Sequence, residues 1–235
     1  MSKVYQATHV GKVRKNNEDA LIFIEPETFI VADGMGGQAA GEIASQMLID
    51  TVKNFLPAVP EPWSEDILKK AILKSNAAIL REAAKNSNYR GMGTTATILH
   101  IYNRRAYYAH VGDSRLYRLK NKNLEQITQD HSYVENLVRK GEITAEEARN
   151  HPMKNILTQA VGAVENILVD TASFTVNAGD TFLLCTDGLT NMLEDKEIAE
   201  ILLTSENPAE NLVQAALNNG GLDNVSVIVV GVDDL

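Results

Sequence analysis

The 235-residue chain has little of several features that define other protein classes. It holds one cysteine, Cys185, which excludes a disulfide framework and a cysteine-rich zinc site. Its 22 Lys and Arg against 31 Asp and Glu give a net charge of −9, so it lacks the basic excess that binds nucleic acid. Its longest apolar stretch, 225–232, is far shorter than the ~20 residues of a membrane helix, and no apolar leader follows Met1. These absences predict a cytoplasmic protein without nucleic-acid or membrane partners.

A dense alternation of strand-like and helix-like patterns fills the chain. Runs rich in β-branched and aromatic residues predict strands at 4–10, 20–24, 29–32, 94–102, 106–111, 115–119, 171–174, 181–185 and 224–232. Apolar residues at helical spacing predict helices at 39–56, 64–85, 195–203 and 208–218. Ser64 is the expected N-cap of the second helix. Between 130 and 162 only short helical pieces remain, at 131–140 and 144–150, which indicates an insertion or lid.

The links between the strands at 94–102, 106–111 and 115–119 are very short. Links of this length make antiparallel hairpins, whereas a parallel crossover needs a dozen or more residues. The fold is therefore expected to be α+β, with a mainly antiparallel sheet core and helix pairs outside it, rather than a doubly wound parallel sheet.

Acidic residues stand at the ends of several predicted strands. Asp33, Asp113 and Asp187 each follow an apolar strand, Asp223 precedes the last one, and Glu18-Asp19 precedes the second. A single Asp-Gly step is most often a plain turn, because Asp bonds its own backbone and Gly accepts positive φ. Several such carboxylates in one place would repel one another strongly unless cations held them. Ligand sets made only of oxygen select hard cations such as Mg²⁺, Mn²⁺ or Ca²⁺.

Arg14, four residues before Glu18, is the natural cation for an anionic substrate. Its guanidinium is a planar fork that matches phosphate oxygens, although an arginine considered alone in a loop is more often a solvated residue. An Asp shared by two metals can place a water between them, and that water is a nucleophile at neutral pH.

Two other motifs point to chemistry different from that of the acidic set. The segment 34–39, Gly-Met-Gly-Gly-Gln-Ala, matches a dinucleotide fingerprint between a strand and a helix. Asp33 would repel a pyrophosphate there, and Asp50, at the expected acidic position, lies inside a predicted helix. Cys185 is followed by no Arg within six residues, so the anion-binding loop of a cysteine phosphatase is missing and we expect a core cysteine. A nicotinamide-dependent enzyme stays a weaker hypothesis.

Six motifs in fixed order carry a resemblance that covers essentially the whole chain. They are Gly11-x-x-Arg14-x-x-Asn17-Glu18-Asp19, Asp33-Gly34-Met35-Gly36-Gly37, Gly91-Met92-Gly93-Thr94-Thr95, Val111-Gly112-Asp113-Ser114-Arg115, Asp187-Gly188-Leu189 and Gly220-Gly221-x-Asp223-Asn224. Together they closely resemble the metal-dependent PPM, or protein phosphatase 2C, family of serine/threonine phosphatases in its stand-alone bacterial form. The resemblance implies a four-layer α-β-β-α sandwich with two central antiparallel β-sheets. It also implies a single domain over 1–235 with a flap insertion at about 130–162.

The resemblance implies a metal role for five residues. Asp33 would bridge two Mn²⁺ or Mg²⁺ ions, and the Gly34 carbonyl would bind one of them. Asp187 and Asp223 would hold the other ion. Asp113, together with Asp187, matches a third-metal site reported among bacterial relatives.

Five more residues would act on water or substrate. Glu18 and Asp19 would orient metal-bound waters, and Arg14 would clamp the substrate phosphate, so these three form the implied catalytic set. His131 and Ser132 belong to the implied flap, which borders the site, and are expected to contact the substrate.

The implied reaction is hydrolysis of phosphoserine and phosphothreonine in proteins by direct attack of a metal-bridging hydroxide, without a covalent phosphoenzyme. Met35 stands where animal members carry a histidine proposed as general acid, so a metal-bound water is expected to protonate the leaving group. The expected protein is a monomer that reverses a bacterial serine/threonine kinase. The alternative is a non-catalytic regulator of the same fold that binds phosphoproteins, and the intact acidic set argues against it.

Overall fold

Two antiparallel sheets form the centre of the computed structural model, which describes residues 2–36 and 40–233. The first sheet has the spatial order β1-β11-β10-β7-β8, with β1 Lys3–His9, β7 Arg115–Lys120, β8 Asn123–Gln126, β10 Thr181–Cys185 and β11 Val225–Gly231. The second has the order β2-β3-β5-β6-β9, with β2 Asp19–Ile24, β3 Thr28–Met35, β5 Ala96–Tyr102, β6 Arg105–Val111 and β9 Asp170–Thr175. The short strand β4 Gly93–Thr94 pairs with β3. Every pairing of described strands is antiparallel, as the short links predict.

Helix pairs cover both outer faces of the sheets. The helices α1 Ala40–Phe55 and α2 Glu65–Lys85 pack on the second sheet, and α6 Asp195–Thr204 and α7 Pro208–Asn218 pack on the first. Three shorter helices are α3 Tyr133–Arg139, α4 Ala145–Arg149 and α5 Asp187–Thr190. The predicted four-layer α-β-β-α sandwich is confirmed. Across residues 2–36 and 40–233, no helix combines the length and the apolar character needed to cross a membrane.

The alternation of side chains along the strands explains the layers. In β3, Phe29 and Val31 belong to the core between the sheets, whereas Ile30 and Ala32 belong to the core under α1 and α2. The strand β11 repeats the pattern towards α7. Successive strand residues point to opposite faces, and here both faces are covered. Such strands therefore read as continuous apolar runs in the sequence.

Some local predictions differ from the structure. Ser64 does precede α2 in an extended conformation, but its hydroxyl makes no capping bond. The helix predicted over 39–56 is α1, and its first predicted residue lies outside the described residues, as do the last three of the dinucleotide-like segment 34–39. Within 130–162, the predicted insertion, the hydroxyls of Ser132 and Thr144 cap α3 and α4.

Candidate metal centre

The strand ends bring the predicted acidic residues to one end of the sandwich. The register of β2 and β3 places Asp19 opposite Asp33. Asp187 begins α5 directly beyond β10, and Asp223 lies two residues before β11. A cavity of about 290 Å³ opens there, and its wall includes the predicted site residues Arg14, Glu18, Asp33, Gly34, Asp113, Asp187 and Asp223. The structure thus brings these seven residues into one wall, while Asp19, opposite Asp33 in the strand pair, is not part of that wall.

The end of β3 is fixed by hydroxyl groups and by glycine. The Asp33 amide donates to Thr95 Oγ1 at 2.8 Å, and Thr94 Oγ1 donates to the Asp33 carbonyl at 3.0 Å. The Gly34 amide donates to the Glu18 carbonyl at 3.1 Å. A Cβ on Gly34 would lie 2.1 Å from the Gly41 carbonyl oxygen, so only glycine allows β3 to approach α1 this closely.

Burial and mutual repulsion raise the pKa values of the clustered aspartates. The pKa of Asp33 is raised well above its ordinary range, first by burial and then by repulsion from Asp19 and Asp187. Burial and the charge of Asp187 raise the pKa of Asp113 well above its ordinary range, and burial and the charge of Asp223 raise the pKa of Asp187. Burial raises the pKa of Asp19 to about 7. The carboxylates disfavour one another's charge, and bound cations would reverse that effect.

The donor set fits divalent cations that keep much of their water. Asp19 Oδ1 is buried without a hydrogen-bond partner, although Oδ2 accepts from Thr186 Oγ1 at 2.9 Å. Within the described ranges, no group of three or more Asp, Glu, His or Cys side chains is arranged to hold a metal ion by itself. Mg²⁺ usually binds through one or two carboxylates and completes its shell with water, so a looser cluster of carboxylates suits ions of this kind. The residues present therefore fit such cations.

Arg14 lies at the edge of the cavity, and much of its side chain is open to solvent. Its Nη2 donates to Asp223 Oδ2 at 2.8 Å, and 55% of its side chain is exposed. The charge of Asp223 raises the pKa of Arg14, which stays a cation. Burial raises the pKa of Glu18, against the opposing charge of Arg14. The cavity thus has one permanent cation beside its acidic wall.

Two polar residues without a predicted role hold the aspartates in place. Asn191 Nδ2 donates to Asp187 Oδ2 at 2.9 Å, and Thr186 donates to Asp19 as described. The spacing of four between Asp187 and Asn191 places both on one helix face and could have found this pair. The contact between Thr186 and Asp19 joins residues 167 positions apart and leaves no local signal.

His131 and Ser132 make contacts within the protein and do not line the aspartate cavity. His131 Nδ1 accepts from the Gly112 amide at 3.2 Å, and Nε2 lies 3.1 Å from Asp170 Oδ2. Ser132 Oγ accepts from the Glu135 amide at 3.2 Å and so caps α3. Their role in substrate binding stays a prediction.

A second cavity, of about 240 Å³, adjoins the first beneath α3 and α4. The two cavities share Asp113, Asn155 and Asp187 in their walls, and Ser132 lines the second. Arg149 of α4 donates to the carbonyls of residues 190 and 193, both at 3.2 Å. The predicted insertion is therefore hydrogen-bonded to the segment that begins with Asp187.

Comparison with known proteins gives the same assignment along almost the whole chain. The family model for protein phosphatase 2C matches residues 8–219. Protein phosphatase PhpP of Streptococcus pneumoniae is 39% identical over 243 residues, which cover 97% of this chain and 96% of that protein. Serine/threonine phosphatase stp of Listeria monocytogenes is 40% identical over 234 residues, which cover 95% of this chain and 93% of that protein.

Solved structures share the fold and about a third of the sequence. The crystal structure of the Mycobacterium tuberculosis serine/threonine phosphatase PstP/Ppp matches with a TM-score of 0.93 and 35% identity over 99% of both chains. The catalytic domain of PstP in complex with two manganese ions matches with a TM-score of 0.91 and 35% identity, again over 99% of both chains. With its ordered motifs, its four-layer sandwich and these matches, the chain belongs to the protein phosphatase 2C family of serine/threonine phosphatases.

Proposed function

We propose that this protein hydrolyses phosphoserine and phosphothreonine in phosphorylated proteins with two divalent cations in its aspartate cavity. The observation that carries the proposal is the meeting of Asp33, Asp187 and Asp223 in one cavity beside the largely free guanidinium of Arg14. An acidic cavity repels a phosphate monoester. The same cavity attracts the ester when the positive charge of bound cations exceeds the negative charge of its carboxylates. Arg14 then adds a directional contact.

The proposed ligands are the residues at the strand ends. Asp33 and the Gly34 carbonyl would hold one cation, and Asp33, Asp187 and Asp223 would hold the other, while Glu18 and Asp19 would orient their water ligands. A third ion would lie by Asp113 and Asp187, whose charges oppose each other's ionisation. The oxygen-only set suits Mn²⁺ and Mg²⁺, and the manganese ions in the PstP domain support Mn²⁺. When bound, the cations neutralise phosphate charge and supply an activated water.

The chain's own residues bind and orient the substrate phosphate. Arg14 offers two N–H groups in a fork that matches two phosphate oxygens, and its bond to Asp223 aims the fork at the cavity. Met35 lines the cavity but has no proton to give, so the proton for the leaving serine or threonine oxygen comes from water. Cys185 is buried and its pKa is raised to about 12, which keeps it a thiol and excludes it as a nucleophile.

The insertion at 130–162 is the proposed flap of a single domain, and it would contact the protein substrate through residues such as His131 and Ser132. Its position supports this role, since Asn155 and Leu157 line the aspartate cavity. Phosphoserine in proteins is formed by kinases, so the protein would oppose a serine/threonine kinase, acting as a cytoplasmic monomer. A non-catalytic phosphoprotein-binding regulator is not favoured, because every acidic residue of the set is present.

The test is hydrolysis of p-nitrophenyl phosphate with and without Mn²⁺, followed by peptides carrying phosphoserine, phosphothreonine or phosphotyrosine. We expect turnover that EDTA abolishes and Mn²⁺ restores, and hydrolysis of the first two peptides. Asp33→Asn should be inactive, while Asp50→Asn, a matched change on the exposed side of α1, should keep wild-type activity. Turnover that resists chelation, or an active Asp33→Asn protein, would refute the proposal.

A further inference from the structure

Asn224 uses its whole side-chain amide to hold one loop. It is 5% exposed and lies between Asp223 and β11. Its Oδ1 accepts from the Glu18 amide at 2.8 Å. Its Nδ2 donates to the carbonyls of Val10 and Asn16, both at 2.9 Å. These three contacts reach both ends of the segment 10–18, which carries Arg14.

The segment 10–18 needs such an anchor because it crosses from one sheet to the other. It joins β1 of the first sheet to β2 of the second, contains no helix or strand, and is exposed from residue 12 to residue 16. Burial therefore contributes little to its order, and fixing a backbone residue costs about 1–2 kcal/mol of conformational entropy. Two further contacts lead to the turn before β11, the bond from the Lys12 amide to the Gly221 carbonyl at 2.7 Å and the ion pair of Arg14 with Asp223. The end of the segment is also held from β1 and β3, since Asn17 Nδ2 donates to Thr8 Oγ1 at 2.8 Å and the Glu18 carbonyl accepts from the Gly34 amide.

Backbone packing shows how closely the two segments fit. A Cβ on Gly11, where φ is +83°, would lie 2.3 Å from the Asp223 carbonyl oxygen. A Cβ on Gly188 would lie 1.9 Å from the Asn224 carbonyl oxygen. The backbone of Asn224 is thus held against α5. Its side chain, bonded to the segment 10–18, therefore restrains that segment relative to α5.

We propose that Asn224 is a positioning residue. It holds the segment 10–18 in the position from which the guanidinium of Arg14 contacts the substrate phosphate. This inference rests on the proposed function, in which Arg14 binds that phosphate. Asn224 lines the cavity, but its side-chain amide is engaged with the loop, and we assign it no contact with the substrate or the cations. Without the two Nδ2 bonds, Arg14 would leave its position part of the time, and a displacement of about 1 Å can cost roughly a hundredfold in rate.

The first test is Asn224→Asp, which has almost the same shape. The aspartate keeps an acceptor for the Glu18 amide but turns an oxygen towards the carbonyls of Val10 and Asn16. With a phosphothreonine peptide and saturating Mn²⁺, kcat/KM should fall by roughly tenfold to a hundredfold, mostly through a higher KM. Asn219→Asp adds the same charge nearby, at an exposed residue whose side chain bonds only the Met192 carbonyl, and should behave as wild type.

A double-mutant cycle with Arg14→Ala separates positioning from general damage. In the Arg14→Ala background, Asn224→Asp should lower kcat/KM by less than about twofold, because the residue that it positions is gone. Losses that multiply in full would overturn the proposal. Asn224→Ala, which removes the contacts without adding charge, should also raise KM, and a normal KM in that variant would mean that charge alone caused the effect and would refute the positioning role.

Amide hydrogen exchange of the metal-free protein gives a readout that needs no activity. The Lys12 and Glu18 amides donate to Gly221 and Asn224, so both should exchange slowly in the wild type despite lying in a loop. Asn224→Asp should speed exchange across 10–17 and leave β5 unchanged. Exchange of these two amides at the rate of an unstructured peptide would overturn the proposal even if no variant folds. A wild type with protected amides and no phosphatase activity would instead refute the proposed function and leave the anchoring of the loop supported.

Discussion

Replacement of Arg14 by alanine should weaken substrate binding more than it slows the reaction. Arg14 uses one of its five N–H groups on Asp223, at 2.8 Å, and 55% of its side chain is exposed, so enough N–H groups remain for two bonds to a phosphate. A hydrogen bond to a charged group contributes about 1.5–3 kcal/mol, and exposure to solvent reduces that value. We therefore take about 2–3 kcal/mol for the pair together, which corresponds to a decrease of roughly 30- to 150-fold in kcat/KM.

The assay is steady-state hydrolysis of a phosphothreonine peptide at saturating Mn²⁺ for Arg14→Ala, Arg14→Lys and Lys15→Ala. Lysine keeps the charge but cannot form the fork, so Arg14→Lys should lie between the wild type and the alanine variant. Lys15→Ala removes the same charge from the adjacent exposed position and should change kcat/KM little. A fall in kcat with unaltered KM would refute ground-state binding and assign Arg14 to the transition state. An equal loss in Lys15→Ala would show that net charge alone matters.

Three further predictions concern the cluster and one buried histidine. Asp33→Asn should raise the urea midpoint of the metal-free protein, because it removes a carboxyl group whose charged form is disfavoured by burial and by its acidic neighbours, and a lower midpoint would contradict that account. In calorimetry, Mn²⁺ should raise the melting temperature of the wild type and change that of Asp33→Asn little. An equal shift in both proteins would place the metal site elsewhere. Burial, aided by the charge of His131, lowers the pKa of His110 to about 4, against the opposing charges of Asp130 and Asp170. The stability that neutral His110 contributes is complete above a pH of about 6.5 and is lost as the pH falls towards 4, so between pH 7 and pH 4 the wild type should lose about 3 kcal/mol more than His110→Gln in urea unfolding. Parallel pH profiles for the two proteins would contradict the last prediction.

The fold could be predicted where a local pattern determines the element. The strand β3 is apolar on both faces from Phe29 to Ala32, and this run predicts the strand, although the structure continues it through Asp33 and Gly34 to Met35. The strand β8 was not predicted, because it is short and contains one apolar residue, Leu124. Its hairpin turn also lacks the usual signal: Asn121 and Lys122 both have positive φ, of 51° and 65°, where glycine is expected at the second position. The hydrogen-bond register with β7 determines this strand, and composition does not reveal it.

The candidate site was predictable in its acidic residues and not in what supports them. Aspartates at the ends of strands are visible in the sequence, and the strand order then brings them together. Asn224 holds carbonyls 214 and 208 positions away, so its amide partners follow only from the three-dimensional fold. The contacts of His131 with the Gly112 amide and the Asp170 carboxylate likewise depend on the turn after β6 and the start of β9, which lie far from it in the sequence, and its substrate contact stays a prediction.

The side chains that donate hydrogen bonds to Asp19 and Asp187 are uncharged. The side-chain donors to Asp19 and Asp187 are a hydroxyl and an amide, from Thr186 and Asn191. Among the acidic residues of the site, and within the described part of the chain, only Asp223 forms a salt bridge, and its partner is Arg14. A neutral donor orients a carboxylate without cancelling its charge, whereas a lysine or arginine at the same place would neutralise it permanently. The protein thus orients the carboxylates of Asp19 and Asp187 with neutral donors and does not neutralise them with its own cations. Divalent cations would supply the compensating charge.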